Sequence, residues 1–228
     1  MKTAGRNVLS IAVACLSASV LFAAGGTSRP QQDARVPEPE QTPEERAIEH
    51  YNAGLSYRDK AWKLEKELAK AASDDERQKL QAKIAKQYDR AREELETAVK
   101  NNPKFHEAWS DLGYALRKVG RFEDALDSYD AALQISPGYT RAIEYRAEAY
   151  LGLNQIDPAK TAYMDLFARD RTQADELMRA MQKWIEARKA DPAGVDTSAL
   201  EAFSHWIAER AEIAGQTPPV SRLGDRPW

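Results

Sequence analysis

The residues able to do acid–base or metal chemistry are few and stand apart in this chain. Three histidines, His50, His106 and His205, fall on different predicted elements, with no HExxH, paired-ligand or nucleophile–base spacing. Each reads as structural or exposed. Asp74-Asp75-Glu76 offers carboxylates but lacks the alternating oxygens and glycine of a calcium loop, and Ser73 ahead of it makes a helix capping box the better account. Cys15 is the only cysteine and lies in an N-terminal apolar run, so no disulfide, thiol nucleophile or zinc–thiolate site is available. The chain therefore implies no catalytic group, no metal and no cofactor, and points to binding.

The elements that would position a binding surface are set by an internal repeat. Phe122, Ala125, Tyr129, Ala132 and Pro137 recur in outline 34 positions later as Ile156, Ala159, Tyr163, Leu166 and Arg171, and 34 positions earlier as Tyr88, Ala91, Leu95, Ala98 and Pro103. Such a period, with small residues at fixed places, predicts helical hairpins that must stack into a solenoid to bury their apolar faces. Gly113 and Ala125 mark where two helices cross closely, Trp109 and Tyr129 fill the spaces beside them, and Pro137 ends the second helix.

The middle unit, Trp109-x2-Leu112-Gly113-x2-Leu116 followed by Ala125-x3-Tyr129-x2-Ala132-x4-Pro137, resembles a tetratricopeptide repeat almost position by position, with Leu116 in place of an aromatic residue. Downstream, Ile143, Arg146, Ala147 and Tyr150 open a degenerate unit in which Arg171 replaces the closing proline. Upstream, His50-x2-Ala53-Gly54-x2-Tyr57 opens another. The resemblance covers residues 47–171. It implies repeats over about 47–104, 105–138 and 139–171, a protein or peptide partner, and a groove lined by first-helix positions. Carried over residue by residue, these are Tyr51, Leu55 and Arg58, then Ser110, Tyr114 and Arg117, then Arg141, Glu144, Glu148 and Leu151. Tyrosine gives contact area at low entropy cost and arginine gives forked donors, which suits an extended or helical peptide. The chaperone adaptors of the family clamp a terminal carboxylate with Lys and Asn pairs. At those places this chain has Tyr51, Leu55, Asp111, Arg141 and Tyr145, and Asp111 is expected to repel a carboxylate.

The first unit is unusual. Leu116 to Phe122 and Tyr150 to Ile156 each span 6 positions, whereas Tyr57 to Tyr88 spans 31. Trp62, Leu64 and Leu68 continue the first helix and Leu80 and Ile84 lead into Tyr88, so the insertion reads as a helical extension of both arms by about 12 residues, or about 18 Å. It is expected to be a projecting finger, either a partner-grasping arm or a self-contained pair.

Two further helical stripes follow, Ala174, Leu177, Met178, Met181, Trp184 and Ile185, then Leu200, Phe203, Trp206 or Ile207, Ala211 and Ile213, with Thr197 or Ser198 capping the second. They are expected to close the solenoid end over residues 172–214, with Ala159 and Tyr163 packing inside the last repeat. Residues 215–228, ending in Trp228, read as a disordered Pro-rich tail. At the other end, Lys2 and Arg6 precede an apolar run over residues 8–24, so residues 1–26 read as a secretory signal or a membrane anchor, and 27–45 as a Pro-rich disordered linker. Lipidation at Cys15 is disfavoured because Ala12 lacks the expected bulk.

A net charge of −3, which becomes more acidic if Lys2 and Arg6 are removed, argues against nucleic acid. The 228 residues, 30% charged, thus read as an all-α tetratricopeptide-like solenoid with an elongated first hairpin and C-terminal capping helices. The functional expectation is an exported, non-catalytic scaffold of the periplasm or cell envelope. The alternatives are a self-associating spacer paired through an exposed Trp62 or Trp184, and an accessory subunit of an envelope enzyme.

Overall fold

The computed structural model describes residues 40–216, so the signal or anchor, the linker up to residue 39, and the tail from residue 217 lie outside the described residues. Within them the chain forms α1 (Pro43–Leu68), α2 (Asp74–Asn101), α3 (His106–Lys118), α4 (Phe122–Ile135), α5 (Thr140–Gly152), α6 (Ile156–Arg169), α7 (Arg171–Ala190) and α8 (Thr197–Gln216).

Local chemistry sets the boundaries. α1 starts three residues earlier than the linker reading allows, because Thr42 accepts the Glu45 N–H at 3.1 Å, the Glu45 carboxylate accepts the Thr42 N–H at 2.8 Å, and Pro43 occupies the first turn. At α2 the Ser73 hydroxyl accepts the Glu76 N–H, but the Glu76 carboxylate takes the N–H of Ala72 rather than that of Ser73. α8 is capped by Asp196, whose carboxylate accepts from the amides of Ser198 and Ala199, and not by Thr197 or Ser198. The Ser198 hydroxyl, and after it those amides, hold the Asp196 carboxyl below its usual range by donating to it. Asp170 ends α6 and caps α7 at once, accepting the Thr172 and Gln173 amides, with no proline needed at position 171.

The repeat is visible as repeated geometry. α3 and α5 each have 13 residues, and α4 and α6 each have 14. The turns between them place Gly120 (φ +82°) and Asn154 (φ 60°), 34 positions apart, in the left-handed region. Arg121 and Gln155 then donate back to the carbonyls of Leu116 and Tyr150. Glycine and asparagine are the residues that take this conformation at least cost. Between hairpins, the amides of Phe105 and Tyr139 close equivalent turns on the carbonyls of Asn102 and Ser136.

Packing follows the small positions. A Cβ on Gly113 would stand 2.6 Å from the Tyr129 ring, and one on Gly54 would stand 2.7 Å from Leu95, the counterpart of Tyr129 one unit upstream. Ala147 and Tyr163 occupy the same two places in the third unit, both buried. Leu112, Ala125, Ala132 and Ala159 are also buried, Pro137 follows the α4 C-cap, and Trp109 is half-buried with its indole N–H on the Pro103 carbonyl at 2.9 Å. Gly152, which carried no signal in the repeat pattern, gives its space to the Phe122 ring.

Two features differ from a three-repeat solenoid with a simple cap. First, α7 packs on α5 and α6 and pairs with α8, so α7 and α8 continue the array as a fourth hairpin. Leu200, Phe203 and Ile207 bury into it, while Ile213 stays exposed. Second, α1 and α2, with 26 and 28 residues, are twice as long as their counterparts and add about 20 Å to each arm. The inner half of that extension docks on the end of α3: the Trp62 indole N–H donates to the Tyr114 hydroxyl at 2.8 Å, and Glu65 receives both the Tyr88 hydroxyl at 3.0 Å and Lys118 at 2.5 Å.

Gly113→Ala is expected to lower unfolding stability by about 2 kcal/mol, because the tyrosine it strikes is fully buried. Gly138→Ala, with open space around it, is expected to change stability by no more than about 0.5 kcal/mol. Urea denaturation of both variants checks the difference.

Candidate functional site

The first helices of successive hairpins touch one another, α1 on α3, α3 on α5 and α5 on α7, so their polar side chains meet on one face. The centre of that face is Asp111 on α3, which is 2% exposed. Its carboxylate accepts the Tyr51 hydroxyl at 2.9 Å and Arg58 Nη1 at 3.0 Å, both from α1, and Arg141 of α5 stands at 3.7 Å. A buried carboxylate without partners would cost several kcal/mol, so these groups bind three helices together. Burial, then the Asp111 carboxylate, push the Tyr51 hydroxyl well above its usual range, which keeps it a donor. Arg58 also lies over the Trp62 ring at 4.3 Å.

Next along the face, Tyr114 and Tyr145 pack with ring centroids 5.0 Å apart, and the Arg117 guanidinium sits over both, at 5.2 and 5.6 Å. Arg117 is ion-paired to Glu148. Glu144, one turn away on α5, is 2% exposed. Its burial, and then the neighbouring Glu148 carboxylate, hold its carboxyl far above the usual carboxylate range, against the pull of Arg117. These residues form two walls of a cleft of about 530 Å³ whose third wall is α7, through Gln173, Glu176, Arg179, Ala180 and Lys183.

Of the positions expected to line a groove, Tyr114, Arg117, Arg141, Glu144 and Glu148 line this cleft. Tyr51 and Arg58 are instead used inside the protein on Asp111, Ser110 is fully buried, and Leu55 is half-buried outside the cleft. Leu151 is core, and its carbonyl accepts the Trp184 indole N–H at 2.6 Å. Trp184 and Trp62 are both half-buried with their N–H groups bonded internally, so neither is the exposed ring that a tryptophan-mediated dimer needs. Asp111 is enclosed by Arg58 and Tyr51, so its charge is compensated where it sits, and it does not face a ligand as the repulsion argument assumed. Tyr145, read from the sequence only as a clamp position, lines the cleft, and the positions missed in the sequence are Lys118 and the α7 wall. The signal was present as Gln173, Glu176, Arg179 or Ala180, and Lys183, a helical stripe beside the apolar one.

The histidines have separate partners: His50 pairs with Glu94 at 2.7 Å, His106 with Glu107 at 3.1 Å and edge-on with Tyr139, and His205 is exposed on α8. Among the described residues no group of three or more potential metal ligands comes together.

Arg58→Ala, which strips Asp111 of its closest cation, is expected to cost about 3 to 5 kcal/mol in urea denaturation, whereas loss of the exposed partner in Asp59→Ala is expected to cost less than about 1 kcal/mol. Glu144, with its carboxyl raised in the fold, contributes stability that is fully present below the ordinary value of 4.5 and is lost as pH rises above it. Glu144→Gln removes that loss. Its melting temperature is expected to exceed the parent's by a few degrees at about pH 8 and to match it at about pH 4, in thermal scans at the two pH values.

Two tetratricopeptide repeat family models match the chain, one over residues 85–140 and the other over residues 116–185. The second reaches into α7, in keeping with a fourth hairpin. No curated protein matches. Eight helices among the described residues, with α3–α4 and α5–α6 repeating at 34 residues and with these matches over residues 85–185, make the described residues an all-α tetratricopeptide-like solenoid.

Proposed function

We propose that this protein is a non-catalytic interaction scaffold of the cell envelope that receives a segment of a protein partner in the cleft between α3, α5 and α7. Tetratricopeptide repeats are protein-binding units. The observation that carries the reading is the cleft, with a tyrosine floor and arginines already held by ion pairs. Side chains fixed before binding lose little further entropy on contact, so the floor is suited to recognition. Its volume is in the range that accommodates a few side chains of a peptide.

Export is supported by Lys2, Arg6 and the apolar run over residues 8–24, which serves either as a cleaved signal or as a tether. No described helix is long and apolar enough to cross a membrane. A spacer built on self-association would have to use surfaces other than Trp62 and Trp184, whose indole groups are engaged internally.

A photo-crosslinking amino acid in place of Ala180, on the cleft wall, tests the reading against the same group at Ala202, exposed on α8. In native cells the first position is expected to give a discrete adduct that the second does not. The same pattern at both positions would count against the cleft, and an adduct of the mass of two copies would favour the spacer.

A further inference from the structure

The charge of the cleft runs opposite to that of the chain. The whole sequence carries −3, yet five cations, Arg117, Lys118, Arg141, Arg179 and Lys183, line this one concavity with only three carboxyl groups. Two of the cations are matched by lining carboxylates: Arg117 by Glu148, and Arg179 by Glu176 at 2.5 Å. The third carboxyl, Glu144, is 2% exposed, and its burial and the neighbouring Glu148 push it toward the neutral form.

Three cations remain uncancelled by anything in the wall. Lys118 answers to Glu65 on the arm. Arg141 has Asp111 as its nearest carboxylate, at 3.7 Å, beyond hydrogen-bond reach and shared with Arg58 and Tyr51, and its Nε has no hydrogen-bond partner. Lys183 forms no ion pair among the described residues and is exposed at the cleft edge. In a concave site walled by protein, uncancelled charge of one sign is focused and not dissipated in solvent. Beside it lies the aromatic floor of Tyr114 and Tyr145, which offers ring faces and edges to an apolar side chain.

We infer that the partner segment bound in this cleft is acidic, a short run of Asp or Glu with an aromatic or apolar residue among them, its carboxylates held by Arg141 and Lys183 and its apolar side chain on the two tyrosines. The inference rests on the reading of the cleft as the partner site, and the two can fail separately. Arg179→Glu/Lys183→Glu inverts the charge of the α7 wall without filling the space, since both side chains are exposed. Ala180→Trp fills the space without changing charge.

The probe is a fluorescein-labelled peptide of about ten residues made of Glu, Gly and Phe, compared by fluorescence anisotropy with its Gln and Lys analogues. An oligonucleotide of equal charge serves as competitor, and circular dichroism verifies the fold of each variant. The Glu peptide is expected to bind at least about tenfold tighter than the Gln peptide, and to weaken by about tenfold in the charge-inverted variant. It is also expected to weaken on raising salt from about 50 to about 500 mM, and to be lost in Ala180→Trp. Equal binding of the Glu and Gln peptides, tighter binding of the Lys peptide, displacement by the oligonucleotide at lower concentration than by unlabelled Glu peptide, or no binding by any peptide overturns the acidic partner. Any peptide binding blocked by Ala180→Trp but indifferent to charge inversion keeps the cleft and removes its acidic specificity. Binding untouched by Ala180→Trp removes the cleft itself.

Discussion

A carboxylate buried to 2% exposure cannot be left alone in a protein interior, and the arrangement of the first three hairpins answers to that constraint. Asp111 gathers Tyr51 and Arg58 from α1 and stands beside Arg141 from α5, so the relative placement of three helices is specified by the geometry of one side chain. Apolar contacts tolerate sliding and repacking, whereas hydrogen bonds to a carboxylate have a preferred direction and length. From Arg58 a ladder of side chains continues along the face, with Arg58 over Trp62, Trp62 on Tyr114, and Tyr114 under Arg117. The cleft begins where that ladder ends.

Much of the fold was legible because it is written in local rules. A period of 34 and a small residue opposite a large one fix a hairpin from within itself, and they recur at Gly54 with Leu95 and Gly113 with Tyr129, whereas the left-handed turn residues Gly120 and Asn154 went unread. The long first hairpin was readable for the same reason, from helix formers on both sides of the Ser73 cap between Tyr57 and Tyr88.

The site was only half legible because it depends on pairings between distant residues. Helical spacing says which residues share a face, but it does not say whether another helix covers that face. Tyr51, Arg58 and Ser110 were expected in the groove by repeat register, but Tyr51 and Arg58 are turned onto Asp111 and Ser110 is fully buried. Asp111 looked like an exposed repulsive charge until Arg58, 53 positions away, was placed against it. The α7 wall was overlooked because residues 172–214 read as a cap over the solenoid end and not as a further hairpin contributing to the groove. Asp170 does the work of stopping one helix and starting the next.

Tyr114 carries a consequence of its own. Its hydroxyl is where the elongated hairpin seats Trp62, while its ring is the floor on which Arg117 rests. α1 runs about 9 Å beyond Trp62 before the hairpin turns. The hydrogen bond from Trp62 to Tyr114 and the Glu65–Lys118 pair are thus where the finger and the floor of the cleft share side chains.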